Sequence, residues 1–324
     1  MTRVSAGGGY LARLWRVDAL DAPPHQVAEL RASYGDKLSV SPDGRTALFF
    51  SDGGKKANLV ALADGRSRQI SPPAHSYFWL WNGWNPSEES VACIFTSDKI
   101  PVQYPIESSL AFYSTDSLRR TAILGPIRGL DDVSFLPDGR SFVFSSAEGI
   151  ETMRTDGTGR QALLPRPPDE EGGQGIIAPV TLSPDGRKLA FLRVGSVEVS
   201  GLYLLDLSSK SERYAGAGGP AFGTPRWSPD GRRIALTAAD QFGVAQLVIV
   251  DVQTGTRRLL TKSAQSLHPL SWSPSGEEIL ALTYDPKLKS RRNDLVVVNV
   301  ASGEQSMLAT DVHDAVWIPV PEGT

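Results

Sequence analysis

Apolar residues along the chain fall in short runs of about five to seven, bounded by glycine, proline and aspartate. Typical runs are "RIALTA" from Arg233, "KLAFLR" from Lys188, "LVIVDV" from Leu247 and "LVVVNV" from Leu295. No stretch keeps helical period for long enough to build an amphipathic helix, whereas β-branched runs closed by turn residues read as strands. The pattern predicts an all-β chain.

The runs recur in order. "VSPDGRTALFF" begins at Val40, "FLPDGRSFVFS" at Phe135, "LSPDGRKLAFL" at Leu182, "WSPDGRRIALT" at Trp227 and "WSPSGEEILAL" at Trp272. A degenerate copy, "WNPSEESVACIF", starts at Trp84, and a truncated "WIP" starts at Trp317. The motif prolines stand at 42, 86, 137, 184, 229, 274 and 319, so the period is 44 to 51 residues. Each unit reads as four strands. A first strand ends two residues before the proline, and Ser-Pro-Asp-Gly makes a tight turn. Two more strands and a short fourth follow. Four-stranded sheets at this period are the signature of a β-propeller.

The expected fold is therefore an all-β, seven-bladed β-propeller of four-stranded blades forming one domain over residues 1–324. Its ring is closed by N-terminal strands joining the C-terminal strand in a blade shared by residues 1–31 and 312–320. The other blades are expected at about 36–71, 78–124, 130–164, 178–214, 223–261 and 268–310. "LWRVDALDAPPHQVAEL" supplies the third and fourth strands of the shared blade, and "TRVSA" the second.

The "WSPDG" turns followed by "IAL" or "LAF", and then "VDxxTG", resemble the repeat of the TolB-like β-propeller family. The resemblance covers nearly the whole chain. It implies a propeller that binds a partner, although the family's namesake has six blades behind a small α/β domain, which this sequence does not show. Propellers of the prolyl-oligopeptidase family are similar too. No G-x-S-x-G is present, however, so serine-hydrolase chemistry is not expected.

Composition narrows the function classes. Lys plus Arg is 33 against 36 Asp plus Glu, which gives no electrostatic reason to bind nucleic acid. Cys93 is the single cysteine, so an internal disulfide and a cysteine-rich zinc site are excluded. No apolar run reaches membrane-spanning length, and the N-terminus carries no signal-like segment. A monomer is expected. As written it would be cytoplasmic, or extracytoplasmic if a signal has been removed.

Candidate chemistry lies on the face opposite the near-identical Ser-Pro-Asp-Gly turns, where connections vary from blade to blade. Four elaborations are expected there: the aromatic stretch "SYFWLWNGWNP" from Ser76, and segments 97–109, 165–175 and 285–294. Trp84 matches the motif tryptophans and reads as core. Tyr77, Phe78, Trp79 and Trp81 are surplus to the repeat, and Tyr77, Trp79 and Trp81 are the candidate ligand-binding aromatics.

The position six residues before each motif proline gives, round the ring, Asp36, Leu80, Asp131, Ala178, Gly223, His268 and His313. Asp36, Asp131, His268 and His313 thus become candidates at the channel mouth, with Asp132 and Asp314 one residue further in. The primary expectation is a non-catalytic propeller that binds a protein, peptide or glycan there and needs no cofactor. The alternative is a lyase or hydrolase of a small or sugar-like substrate. It would use His268 or His313 as acid–base and Asp36 or Asp131 as the carboxylate, with a divalent metal within reach of both residue types.

Overall fold

The computed structural model describes residues 2–6, 9–16, 24–32, 38–51, 54–87, 89–97, 106–166, 176–194, 201–216, 221–239, 245–261, 266–284, 293–312 and 314–318. They form six four-stranded antiparallel sheets and one three-stranded sheet, each a meander of consecutive strands. Blade one runs from strand Ser39–Val40 to Ser67–Ile70, and blade two from Ser76–Trp84 to Arg120–Arg128. Blade three runs from Val133–Phe135 to Gln161–Pro165, and blade four from Ile176–Leu182 to Glu212–Tyr214. Blade five runs from Ala221–Trp227 to Arg257–Leu259, and blade six from Ser266–Trp272 to Gln305–Ala309. The first strands of consecutive blades pack against one another, so they are the inner strands around the axis.

Each blade buries both of its faces against neighbours, which explains why its middle strands read as continuous apolar runs rather than alternating ones. The third strand of blade five, Ala245–Asp251, is buried at every residue but the last. One apolar cluster joins blades four and five through Leu192, Leu202, Ile234 and Val248. Another joins blades one and two through Phe50, Leu59, Phe78 and Cys93. Cys93 is fully buried there, as its apolar run implies, and burial pushes its thiol far above the ordinary range. The fourth strands face solvent: Arg257–Leu259 is exposed throughout.

The Ser-Pro-Asp-Gly turns are built alike. In blade five the Ser228 hydroxyl donates to Asp230 at 2.5 Å and accepts the Arg233 N–H at 2.9 Å, while Asp230 accepts the Arg232 N–H. Ser183 with Asp185 and Ser41 with Asp43 repeat the pattern. Gly231 takes the left-handed position at φ 68°.

The expected seventh blade is not formed. Thr2–Ala6, Gly9–Arg16 and His25–Ala32 pair as a three-stranded sheet, as the N-terminal sequence implies, but among the described residues no inner strand joins it. Residues 314–318 are irregular. Two of their backbone N–H groups are held by side chains rather than a ladder: the Ala315 N–H donates to Asp314 and the Trp317 N–H to the Ser271 hydroxyl, while the Asp314 carboxylate also accepts the Leu38 N–H. The two ends of the chain do meet, through packing of Ile318 against the cluster of Leu14, Val27, Ala47 and Phe49. The propeller therefore has six blades, with the N-terminal sheet and the C-terminal segment beside blade one.

Candidate functional site

Inner strands place the candidate residues, and their registers are uneven. In blade two Phe78 pairs with Phe95 and Asn82 with Cys93, so residues 79–81 stand opposite Ile94 alone. In blade five residues 223–225 stand opposite Leu236 alone, and in blade four residues 178 and 179 stand opposite Leu192. Blade six carries a one-residue bulge between Pro269 and Ser271. Such bulges re-aim side chains and are common next to binding sites. Equal spacing from the proline consequently does not mean equal height in the channel. His268 pairs with Leu282, eight residues after its motif proline. In blade three the residue at that height is Asp132, whose N–H and carbonyl both bond to Ser145, and not Asp131.

His268 is half-buried, and that burial lowers its pKa below the ordinary histidine value. The Thr237 hydroxyl donates to the Leu267 carbonyl at 3.0 Å and lies 3.4 Å from His268 Nδ1. A hydroxyl has one proton. With that proton on Leu267, the contact requires Nδ1–H to donate to Thr237, which leaves Nε2 with its lone pair. Nε2 has no protein partner among the described residues.

The acids one residue further in serve the frame. Asp132 accepts the Val180 N–H of the next blade at 3.0 Å, and Asp314 accepts the Leu38 N–H at 2.9 Å. Asp132 stands five residues before its motif proline, as does Asp314, and each accepts from the residue four before the next one. The two contacts are one repeated clasp between neighbouring units. Asp131 is half-buried, and its N–H faces the Ser145 carbonyl at 3.3 Å.

Arg226 was not among the sequence candidates. It lies on the inner strand of blade five, largely buried, with its Nε wholly enclosed and without a hydrogen-bond partner. Desolvation lowers its pKa, and the charges of Asp314 and Asp132 oppose that shift. Neither acid forms an ion pair with it, and its side chain makes no hydrogen bond among the described residues. A signal for it was present in the repeat. Three residues before the motif proline the other units carry Ser39, Gly83, Ser134, Thr181, Ser271 and Val316. A guanidinium where six equivalents are small or short stands out once the units are aligned.

Of the remaining candidates, Asp36 and His313 lie outside the described residues, as do most of the three non-aromatic elaborations at 97–109, 165–175 and 285–294. Tyr77, Trp79 and Trp81 belong to the inner strand Ser76–Trp84 rather than to a loop before it, and their side chains lie outside the described set. Phe78 is core: it stacks on Phe50 at 5.2 Å and meets Tyr113 edge-on at 6.1 Å. Among the described residues no group of three or more His, Cys, Asp or Glu side chains is placed to hold a metal ion.

No protein-family model matches the sequence, and no curated protein does. Solved structures do. TolB from Acinetobacter baumannii superposes with a TM-score of 0.58 at 18% identity over 88% of this chain. The fold is a TolB-like β-propeller. The present propeller spans 66% of that TolB's length. An oligogalacturonate lyase in complex with manganese gives a TM-score of 0.69 at 17% identity, covering 86% of this chain and 80% of the lyase. An oligogalacturonate lyase from Vibrio parahaemolyticus gives 0.64 at 12% identity, covering 88% and 80%. At these identities the likeness is one of fold alone, and a fold does not fix a function.

Proposed function

We propose that this TolB-like propeller is a non-catalytic binding protein that takes a protein, peptide or glycan ligand at the mouth of its central channel. One observation carries the reading. Asp132 Oδ2 and Asp314 accept backbone amides of neighbouring units, while Arg226 Nε and His268 Nε2 keep hydrogen-bonding capacity that no group among the described residues uses. That arrangement offers recognition rather than an acid–base pair. Tyr77, Trp79 and Trp81, on the inner strand of blade two, would add aromatic surface.

The test is a peptide and glycan array probed with the wild-type chain and with His268→Ala. A ligand retained by wild type and lost in the variant, with circular dichroism unchanged, supports the site. Ligands bound equally by both would place recognition elsewhere.

A second reading is favoured by the tautomer of His268. A neutral imidazole with a free Nε2 is also the state a general base needs, and two of the similar folds belong to oligogalacturonate lyases. Incubation with unsaturated-product detection on acidic oligosaccharides checks it. Turnover lost in His268→Ala would establish an enzyme.

A further inference from the structure

We infer that Arg226 and His268 form one subsite for a hydroxycarboxylate, with the guanidinium taking the carboxylate and the imidazole Nε2 accepting a proton from the neighbouring hydroxyl. The inference rests on the binding reading above and specifies the chemistry of what is bound.

A largely buried guanidinium with no acceptor is costly, because hydrogen bonds to water have been lost and none replaces them. Arg226 is in that condition at Nε, which is enclosed and unpartnered. The charges of Asp132 and Asp314 offset part of that cost, but both acids stay beyond ion-pair distance and accept backbone N–H groups, so neither supplies the missing acceptor. Arginine's planar fork matches a carboxylate in bidentate geometry, which is the strongest partner such a group can find.

The second half of the subsite lies on the inner strand of the next blade. The inner strands of blades five and six pack together, and the Trp272 indole donates to the Arg226 carbonyl at 2.8 Å, which fixes the backbone beneath the guanidinium. Arg226 pairs with Ala235, six residues after its motif proline, and His268 lies two levels higher. That offset is roughly 7 Å along the strands, about the reach of a hydroxycarboxylate with its two hydrogen bonds. Space is available as well. Gly223, in the bulge of the Arg226 strand, is exposed at φ +73°, and a Cβ built on it would meet nothing within 4 Å. His268 is held as an acceptor by Thr237, so a hydroxyl is the complementary group.

The experiment follows the Nε–H resonance of Arg226 in the full chain by ¹⁵N–¹H NMR, assigned by its loss in Arg226→Lys. D-glucuronate, D-glucose and inorganic phosphate are titrated separately to tens of millimolar. The expected result is a saturable shift with glucuronate, with glucose weaker by about tenfold or more because it lacks the carboxylate. Glucuronate affinity should fall by a similar factor in both Arg226→Gln and His268→Gln. An equal response to glucose overturns the carboxylate assignment. A response to phosphate as strong as that to glucuronate shows a generic oxyanion site and overturns the hydroxyl half. No response to any probe overturns the subsite. The broader reading would still stand if an array ligand were lost in His268→Ala. The wild-type titration decides the matter even if a variant fails to fold.

Discussion

The indole Nε1–H of Trp272 donates to the main-chain carbonyl of Arg226 at 2.8 Å, and so ties blade six to blade five at the channel wall. Trp227 repeats the contact one blade earlier, donating to the Thr181 carbonyl at 3.2 Å. In both cases the tryptophan two residues before one motif proline reaches the residue three before the previous one. Trp84 and Trp317 hold the same place in their units, but their Nε1 atoms are buried without an acceptor. Trp272→Phe should therefore cost about 1–2 kcal/mol, from the lost hydrogen bond and the carbonyl left behind. Trp84→Phe removes a donor that is already unsatisfied and should cost less. Urea unfolding of the two variants compares them, and an equal loss would refute the role of the clamp.

The Ser-Pro-Asp-Gly turn makes a second prediction. Ser228 is fully buried, and its hydroxyl bridges the Asp230 carboxylate and the Arg233 N–H. Ser228→Ala leaves that amide without an acceptor and should destabilise by about 1–3 kcal/mol. Blade three has Leu136 in place of the serine, and there Asp138 accepts the Arg140 and Ser141 N–H groups directly. Leu136→Ser should consequently gain little, so the same thermal melts should show an asymmetric pair.

The turn between third and fourth strands offers a stabilising change. Its fifth residue takes a left-handed conformation, filled by Gly65, Gly255 and Gly303 at φ 73°, 72° and 77°. Blade four has Lys210 there at φ 54° and blade two has Leu118 at φ 57°. Left-handed backbone costs a non-glycine residue on the order of 1 kcal/mol. Lys210 is exposed, so Lys210→Gly loses no packing and should raise the melting temperature. The reverse change at Gly303 should be severe, since a Cβ there would lie 2.3 Å from the Leu260 carbonyl oxygen. A lower melting temperature for Lys210→Gly would sink the argument.

The repeat made the blade plan and strand order readable because turn and strand patterns agree in every unit. Two features escaped it for physical reasons. Equal spacing suggested a seventh blade, yet Asp314 is engaged with Leu38 and Ala315 amides, and residues 314–318 do not enter a ladder. Spacing also suggested a ring of side chains six residues before each proline. Bulges at residues 79–81, 178–179 and 223–225, and beside Pro269, shift those residues by one or two positions, and a bulge leaves no mark in composition. Arg226 was legible in principle, because its equivalents are small, but a scan for titratable pairs favours histidine and carboxylate over a lone arginine.

Acid sensitivity should come from the turns. Desolvation pushes the Asp230 carboxyl up, but Ser228, the Arg232 N–H and nearby arginines outweigh it and hold the carboxyl below its ordinary value of 3.8. In Asp185 the Ser183 hydroxyl leads and the shift is again downward. A carboxylate whose folded pKa is depressed contributes stability above its unfolded pKa and loses it as pH falls through the folded one. Stability should thus decline only below about pH 4, and Asp230→Asn should flatten that limb. Urea midpoints measured from pH 2 to 6 check it, and a decline complete by pH 5 would contradict the assignment.

His268 has the opposite electrostatic character and a different window. Burial disfavours its charged form, so its folded pKa lies below the ordinary value of 6.5 while the unfolded chain keeps that value. Between the two values the unfolded state binds more protons, and stability rises with pH across that interval. The contribution is complete above about pH 6.5, declines as pH falls toward the folded pKa, and is constant below it. His268→Gln should remove this slope while leaving the acid limb of the aspartates in place. If the Nδ1–H tautomer is held by Thr237, then Thr237→Val should also change the ring's ¹⁵N shifts, raising the share of the Nε2–H form at pH 8. A wild-type ring that titrates at or above 6.5, or a tautomer indifferent to Thr237, would remove the basis for treating Nε2 as an acceptor facing the ligand.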